Sequence, residues 1–271
     1  MNESLFGLTD RVAVVTGGYG VLGGGMADTL ARAGARVAIL GRRRDEAIAK
    51  TEQLTEMGVT AMAVVADVLD EASLKSARDR ILGEWGTIDI LLNAAGGNVA
   101  RARTDGVPPF DMPLDAFDEV LKLNLHGTVI PSLVFGAAMA RQKSGSIVNI
   151  SSMASTQAIS GVMGYSMAKA AIENFTKWLA VDLARQCGEG IRVNALSPGF
   201  FVSTQNRAVL INADGSYSPR AERIVARTPM GRFGRPDELS GALQFLCSDA
   251  ASFVTGVVIP VDGGFSAYTG V

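Results

Sequence analysis

Between Arg11 and Arg43 the chain reads RVAVVTGGYGVLGGGMADTLARAGARVAILGRR, and this stretch decides the fold. Residues 12–15 are a short apolar, β-branched run that ends in a cluster of glycines. From 26 to 33 the apolar positions recur at helical spacing, Gly34 stops the helix, and residues 36–40 make a second strand. Strand, helix and strand in this order form a βαβ unit. Within it, Gly18-x-Gly20-x-x-Gly23 follows the strand and opens the helix, the context in which GxGxxG marks a dinucleotide site. Glycines let the backbone turn tightly and approach a pyrophosphate, whose charge then rests on the helix N-terminal amides. A glycine-rich turn that only packs helix on strand is the alternative.

The end of the second strand bears on the cofactor. A free ribose 2′-OH is commonly held by an acid about 20 residues past the glycines, whereas a 2′-phosphate needs a cation. That position is Gly41, followed by Arg42 and Arg43. With no carboxylate in sequence at this point and a guanidinium able to bind phosphate in a bidentate manner, NADP(H) is expected to be preferred, with NAD(H) possible. The alternative is a solvated turn.

Working outward, helix and strand keep alternating: a helix to about 57, a strand at 61–66, a helix through 85, a strand at 88–92. This order implies an α/β fold with a parallel sheet covered on both faces. Asp67 closes the third strand and Asn93-Ala94-Ala95-Gly96-Gly97 the fourth, where such sheets bind ligands. Asp67 either accepts from an adenine amino group or caps the next helix. Residues 98–113, polar and broken by prolines, form a loop whose Arg101 and Arg103 are candidates to meet an anion. A long helix is expected from 114 to about 141. Asn124 lies inside it among leucines, where a polar residue needs a partner or a task. A strand at 191–195, helical patterns near 219–226 and 237–247, and a strand at 257–261 complete the chain.

The chemistry is expected between 145 and 178. The apolar run 147–150 breaks into Ser151-Ser152, and a helical pattern then opens with Tyr165 and carries Lys169 four residues later. That spacing puts phenol and ammonium on one helix face. A nearby ammonium favours the phenolate; moving a tyrosine from its reference of about 10 to near 7 takes about 4 kcal/mol. In isolation the pair also fits an ordinary solvated helix face.

Composition bounds the rest. The chain has 271 residues, 48% hydrophobic and 19% charged, with net charge −2, and suits one domain that buries about three quarters of its unfolded surface. No block of like charge recommends nucleic acid or membrane as a partner. No signal peptide is evident, and the weakly polar run 127–140, interrupted by Pro131, is shorter than the ~20 residues of a membrane span. Cys187 and Cys247 are expected to be reduced in a cytoplasmic protein. A single histidine, His126, and two separated cysteines cannot build the usual zinc site, so no metal is expected.

Taken together, the glycine cluster, Asn93-Ala94-Ala95-Gly96, Asn124, Ser152, Tyr165-x-x-x-Lys169, Pro198-Gly199 and Val261-Asp262-Gly263-Gly264 resemble the short-chain dehydrogenase/reductase family over nearly the whole chain. The family's TGxxxGxG has its middle glycine where this chain has Val21, while Thr16, Gly17 and Gly23 keep their places. A narrower resemblance rests on GGYGVLGGGMA (17–27), AAGGN (94–98), PGFFVSTQNR (198–207), TPMGRFGRP (228–236) and VTGVVIPVDGGFSAYTGV (254–271). It is to the branch described as D-mannonate oxidoreductase or fructuronate reductase.

The resemblance implies one domain over 1–271, a doubly wound Rossmann-like fold with a mostly parallel seven-stranded sheet. The cofactor half would be about 1–150 and the catalytic and substrate half about 151–271. It implies hydride exchange between a nicotinamide cofactor and a ketone or secondary alcohol. Tyr165 would be the acid or base, Lys169 would lower its pKa and hold the nicotinamide ribose, Ser152 would hold the substrate oxygen, and Asn124 would complete a proton path. The cofactor would be held by Gly17, Gly18, Tyr19, Gly20, Val21, Leu22, Gly23, Arg42, Arg43, Asp67, Val68, Asn93, Ala94, Ala95, Gly96, Tyr165, Lys169, Pro198, Gly199 and Phe201.

A keto sugar acid needs a cation for its carboxylate, which Arg207 could supply, and polar partners such as Asn98, Gln205 and Asn206, beside Ser152 and Tyr165. A homotetramer is implied as well. Other carbonyl substrates of the same reaction class (a 3-oxoacyl thioester, a sugar alcohol, a steroid) and a catalytically silent nucleotide-binding regulator are the alternatives.

Overall fold

The computed structural model describes residues 3–203 and 206–270. Among them, seven strands form one sheet in the order β3-β2-β1-β4-β5-β6-β7. They are β1 (Val12–Thr16), β2 (Arg36–Gly41), β3 (Ala61–Val65), β4 (Ile90–Asn93), β5 (Gly145–Ile150), β6 (Ile191–Pro198) and β7 (Val258–Val261). Every neighbouring pair is parallel, so the sheet is fully, not mostly, parallel.

The helices are α1 (Glu3–Phe6), α2 (Val21–Arg32), α3 (Arg44–Glu56), α4 (Glu71–Trp85), α5 (Leu114–Leu121), α6 (Gly127–Gln142), α7 (Met163–Cys187), α8 (Arg207–Leu210), α9 (Pro219–Arg227) and α10 (Ser240–Cys247). Two apolar layers sandwich the sheet. Ala13 and Val15 of β1 pack with Met26 and Leu30 of α2 and Leu243 of α10. Val12 and Val14 point the other way, among Leu74 and Ile81 of α4 and Phe135 of α6. Burial on both faces explains why the strands read as continuous apolar runs. A satellite cluster of Leu210, Ala221, Ile224 and Phe233 joins α8 and α9 beyond the end of β6.

The single helix expected from 114 to about 141 proves to be three pieces. A π-helical turn, Lys122–His126, separates α5 from α6, and Asn124 stands in it. Such turns insert one extra residue and are frequent at functional sites. The helical run Leu114–Gln142 is 29 residues long and its most apolar 18-residue window has a mean hydropathy of 1.3, so that by length and composition alone it passes for a membrane span, as buried core helices also do. In the fold, 56% of its apolar window is buried against the rest of the protein.

Strand order reverses between β1 and β4, so that α2 after β1 and α6 after β4 pack on opposite faces of the sheet. Ligands of such sheets bind in the crevice that this reversal opens.

Candidate active site

Gly17 leaves β1 with φ of +64°, and a Cβ there would stand 2.9 Å from the Cα of Ala95. A Cβ on Gly23 would collide with the carbonyl oxygen of Gly17. These two glycines are the ones the turn requires. Gly20 is the N-cap of α2 and offers no side chain to its first amides. Residues 19–23, the loop 94–97, Val68, Arg42 and Arg43 wall a cavity of about 440 Å³. An uncapped helix start above a glycine cradle at the switch point suits a pyrophosphate. Val21 stands in this wall, partly exposed, so the departure from the family's middle glycine costs no collision. Gly18 and Asn93 are buried and do not appear in the cavity wall. Asn93 instead donates to Ser132 Oγ and Asn149 Oδ1 inside the fold.

At the far end of the cavity the two arginines differ. Arg43 lies over the ring of Tyr19, 4.7 Å from its centroid, and its Nη1 is 3.0 Å from Glu46 Oε1. The Tyr19 ring fills the space above Gly41, where any Cβ would collide with it. Arg42 Nη1 is 3.7 Å from Asp67 Oδ2. The expectation that no carboxylate stands here is therefore corrected, because the end of β3 brings Asp67 beside an arginine that sequence leaves alone. Asp67 is not the cap of α4, a role taken by Asp70, whose Oδ1 accepts from the amides of Ala72 and Ser73.

The ends of β4 and β5 and the start of α7 bring the reactive side chains together. Tyr165 and Lys169 share a face of α7, with the ammonium 5.4 Å from the ring centroid. Lys169 Nζ donates to the carbonyl of Ile150 at 2.7 Å. Burial pulls its pKa down from 10.5 to about 8. Burial pushes the Tyr165 phenol up, while the Ser152 hydroxyl, donating to the phenolate, pulls it the other way. In the protein alone, desolvation thus outweighs the lowering expected from the Tyr165–Lys169 spacing, since the ammonium is engaged with a carbonyl.

Asn124 clamps the β4 loop: its Nδ2 donates to the carbonyl of Gly97 at 2.8 Å and to that of Val120 at 2.9 Å, and its Oδ1 accepts from the Gly97 amide at 3.0 Å. Its own carbonyl accepts from Thr128 Oγ1. Glu173, one turn beyond Lys169, accepts from Ser151 and Ser155 through Oε1. It thereby fastens the segment carrying Ser152 onto α7.

Tyr165 also walls a second cavity, of about 300 Å³, together with Ser152, Asn98, Asn206, Pro198, Gly199 and Phe201. The two cavities meet at Leu22, Gly97, Ile150, Tyr165 and Ser203. Pro198, Gly199 and Phe201, expected on the cofactor, stand in the second cavity. Gly199 admits no side chain, because a Cβ there would stand 2.6 Å from the Cα of Asp262. Asn206 lines the cavity, but its amide is spent on its own loop, accepting from the Ser203 amide and donating to the Phe201 carbonyl. Arg207 is exposed and is not among the described lining residues. Gln205 lies outside the described residues.

The arginines in this wall are Arg103 and Arg220. Arg101 instead pairs with Asp115. Sequence offers no sign of Arg220, which a separate segment delivers. Glu173 was findable, being four residues after Lys169 on the same helix face.

A family model described as enoyl-(acyl carrier protein) reductase, short-chain dehydrogenase C2 type, matches residues 20–266. The "Uncharacterized oxidoreductase UxuB" of Bacillus subtilis (strain 168) is 46% identical over 281 aligned residues, 100% of this chain and 99% of that protein. A crystal structure provisionally described as a D-mannonate oxidoreductase from Haemophilus influenza with bound NAD is similar with a TM-score of 0.93 and 40% identity, covering 99% of each chain. A gluconate 5-dehydrogenase from Burkholderia cenocepacia J2315 in complex with NADP and tartrate has a TM-score of 0.88 and 33% identity, covering 99% of this chain and 100% of that one.

Proposed function

This chain belongs to the short-chain dehydrogenase/reductase family and is an oxidoreductase that takes a nicotinamide dinucleotide; from that premise we propose that it interconverts a keto sugar acid and its secondary alcohol, of the D-fructuronate/D-mannonate type. One observation carries the reading: Tyr165 stands where a cavity suited to a dinucleotide meets a small second cavity, which Ser152 also lines.

When bound, the cofactor supplies or accepts the hydride. The residues do the rest. Ser152 holds the substrate oxygen, so that charge developing on it is met by a fixed donor. Tyr165 gives that oxygen a proton in reduction and takes it in oxidation. Burial pushes the phenol's pKa up, which favours the acid form. Lys169, with Nζ anchored on Ile150, holds the ribose and keeps a positive charge near the phenol. Asn124 fixes the Gly97 backbone, where the two cavities meet.

NADP(H) is the preferred cofactor in this reading, through Arg42 and Arg43. Asp67 beside Arg42 weakens the preference, and NAD(H) is the other candidate. The protein is proposed to work as a cytoplasmic homotetramer. A second reading, reduction of a 3-oxoacyl thioester, draws on the likeness to a 3-oxoacyl-[acyl-carrier-protein] reductase of Aquifex aeolicus, 37% identical over 258 residues, but the arginine-bearing wall of the second cavity favours a short anionic substrate.

A panel of keto sugar acids, an acetoacetyl thioester and uncharged ketones, followed at the NAD(P)H absorbance band, tests the assignment. Faster turnover of the keto sugar acids is expected. Turnover of the thioester alone would replace the reading.

A further inference from the structure

We infer that Arg103 and Arg220, held side by side by Asp105, form the carboxylate-binding subsite of the second cavity. The inference rests on the sugar-acid reading above and gives it its anchor. The two arginines come from segments far apart in the chain: Arg103 follows the short 3₁₀ turn Ala100–Ala102, and Arg220 lies in the first turn of α9.

Asp105 joins them. Its Oδ2 accepts from Nε and Nη2 of Arg103, and its Oδ1 accepts from Nη1 of Arg220 at 3.0 Å. Arg220 Nη2 also donates to the carbonyl of Ser160 at 3.1 Å. Arg103 and Arg220 both line the cavity, whereas Asp105 does not, and no carboxylate is among the described lining residues.

The balance is two cations against one anion, and both cations belong to residues that line the cavity. The arginine side chains are 28% and 25% exposed, so the charge is partly sheltered from solvent, and a bound anion would be screened less than at an open surface. Arg103 Nη1 has no acceptor among the described residues, which leaves a donor for a carboxylate oxygen. The volume of about 300 Å³ lies at the small end of ligand sites and suits a compact polar molecule.

Asp105 is held in turn. Gly161 has φ of +78°, and any Cβ there would collide with the Asp105 carboxylate. The Gly161 carbonyl accepts from the Thr104 amide. The segment 156–162, the loop 98–113 and α9 thus converge on one carboxylate whose task is to seat two cations.

The test is isothermal titration of protein saturated with reduced cofactor, which cannot oxidise either probe, using D-mannonate against its uncharged counterpart D-mannitol. The wild type should prefer the anion by at least about tenfold, as a charge-assisted hydrogen bond implies. Arg103→Met and Arg220→Met should each erase most of that preference while cofactor affinity and melting temperature hold. Asp105→Asn, which keeps the shape and removes the neutralising charge, should keep or widen the preference.

No preference in the wild type, an unchanged preference in both arginine variants, or loss of preference in Asp105→Asn would overturn the subsite. Turnover of mannonate with oxidised cofactor reports separately. A probe bound with the expected preference but never oxidised would remove the sugar-acid reaction and leave the anion subsite standing.

Discussion

Lys169 donates to the carbonyl oxygen of Ile150 at 2.7 Å, so the ammonium of α7 is anchored on the end of β5. The anchor fixes the charge in position but does not repay its burial, and the pKa falls from 10.5 to about 8. Below pH 8 the lysine is charged in both folded and unfolded chains, and the folded state carries the full cost of burial. Between 8 and 10.5 the folded state releases its proton first, so stability rises with pH by up to about 3 kcal/mol. Denaturant titrations of wild type and Lys169→Met at pH 7.5 and pH 10 should show the wild type gaining about 2 kcal/mol on the variant. A difference flat across that range would mean that Lys169 is not desolvated.

The Asn124 side chain makes three hydrogen bonds, two to Gly97 and one to Val120. Asn124→Ala strands the Gly97 amide and two carbonyls, and should cost about 1–3 kcal/mol for the unsatisfied groups. Activity should fall more than the stability loss alone explains, because Gly97 borders both cavities. Urea unfolding alongside kcat checks this. A variant stable to within about 0.5 kcal/mol of wild type would show that water replaces the clamp.

The β1–α2–β2 unit was legible because its glycines and apolar runs are local signals. Gly17 and Gly23 are needed by the turn itself, and Tyr165 and Lys169 share a face because four residues make about one helical turn. What sequence concealed was assembled over long separations. Asp67 reaches Arg42 because β3 lies beside β2. Arg220 meets Arg103 because α9 folds back over a loop more than a hundred positions earlier. The π-turn at Asn124 was hidden because one inserted residue hardly disturbs an apolar helical pattern. Arg207 looked suited to a carboxylate by its neighbours, yet the short α8 leaves it exposed.

Cofactor choice should respond to Arg42, which Asp67 holds at 3.7 Å. Arg42→Asp replaces a cation with an anion beside Asp67 and should lower the ratio of kcat/KM for NADPH over NADH by at least about tenfold. Steady-state kinetics with each cofactor measures it. An unchanged ratio would mean that Arg42 does not read the 2′-phosphate.

Gly161→Ala places a side chain against the Asp105 carboxylate and at a positive φ that only glycine adopts without strain. A stability loss of about 1–3 kcal/mol is expected. Increased proteolysis within the loop 98–113, seen by limited digestion and mass spectrometry, should accompany it. Wild-type stability together with an unaltered digestion pattern would show that Asp105 does not tie these segments together.

The central claim is that Tyr165 exchanges the proton with the substrate oxygen. Tyr165→Phe removes one oxygen from a ring packed beside Val120 and Ala116 and keeps the ring's shape. Measured with the carbonyl substrate of the panel that the wild type reduces fastest, kcat should fall by about 10²–10⁴, with the dissociation constant for NADPH unchanged. A variant that oxidises NADPH as fast as the wild type would contradict the account.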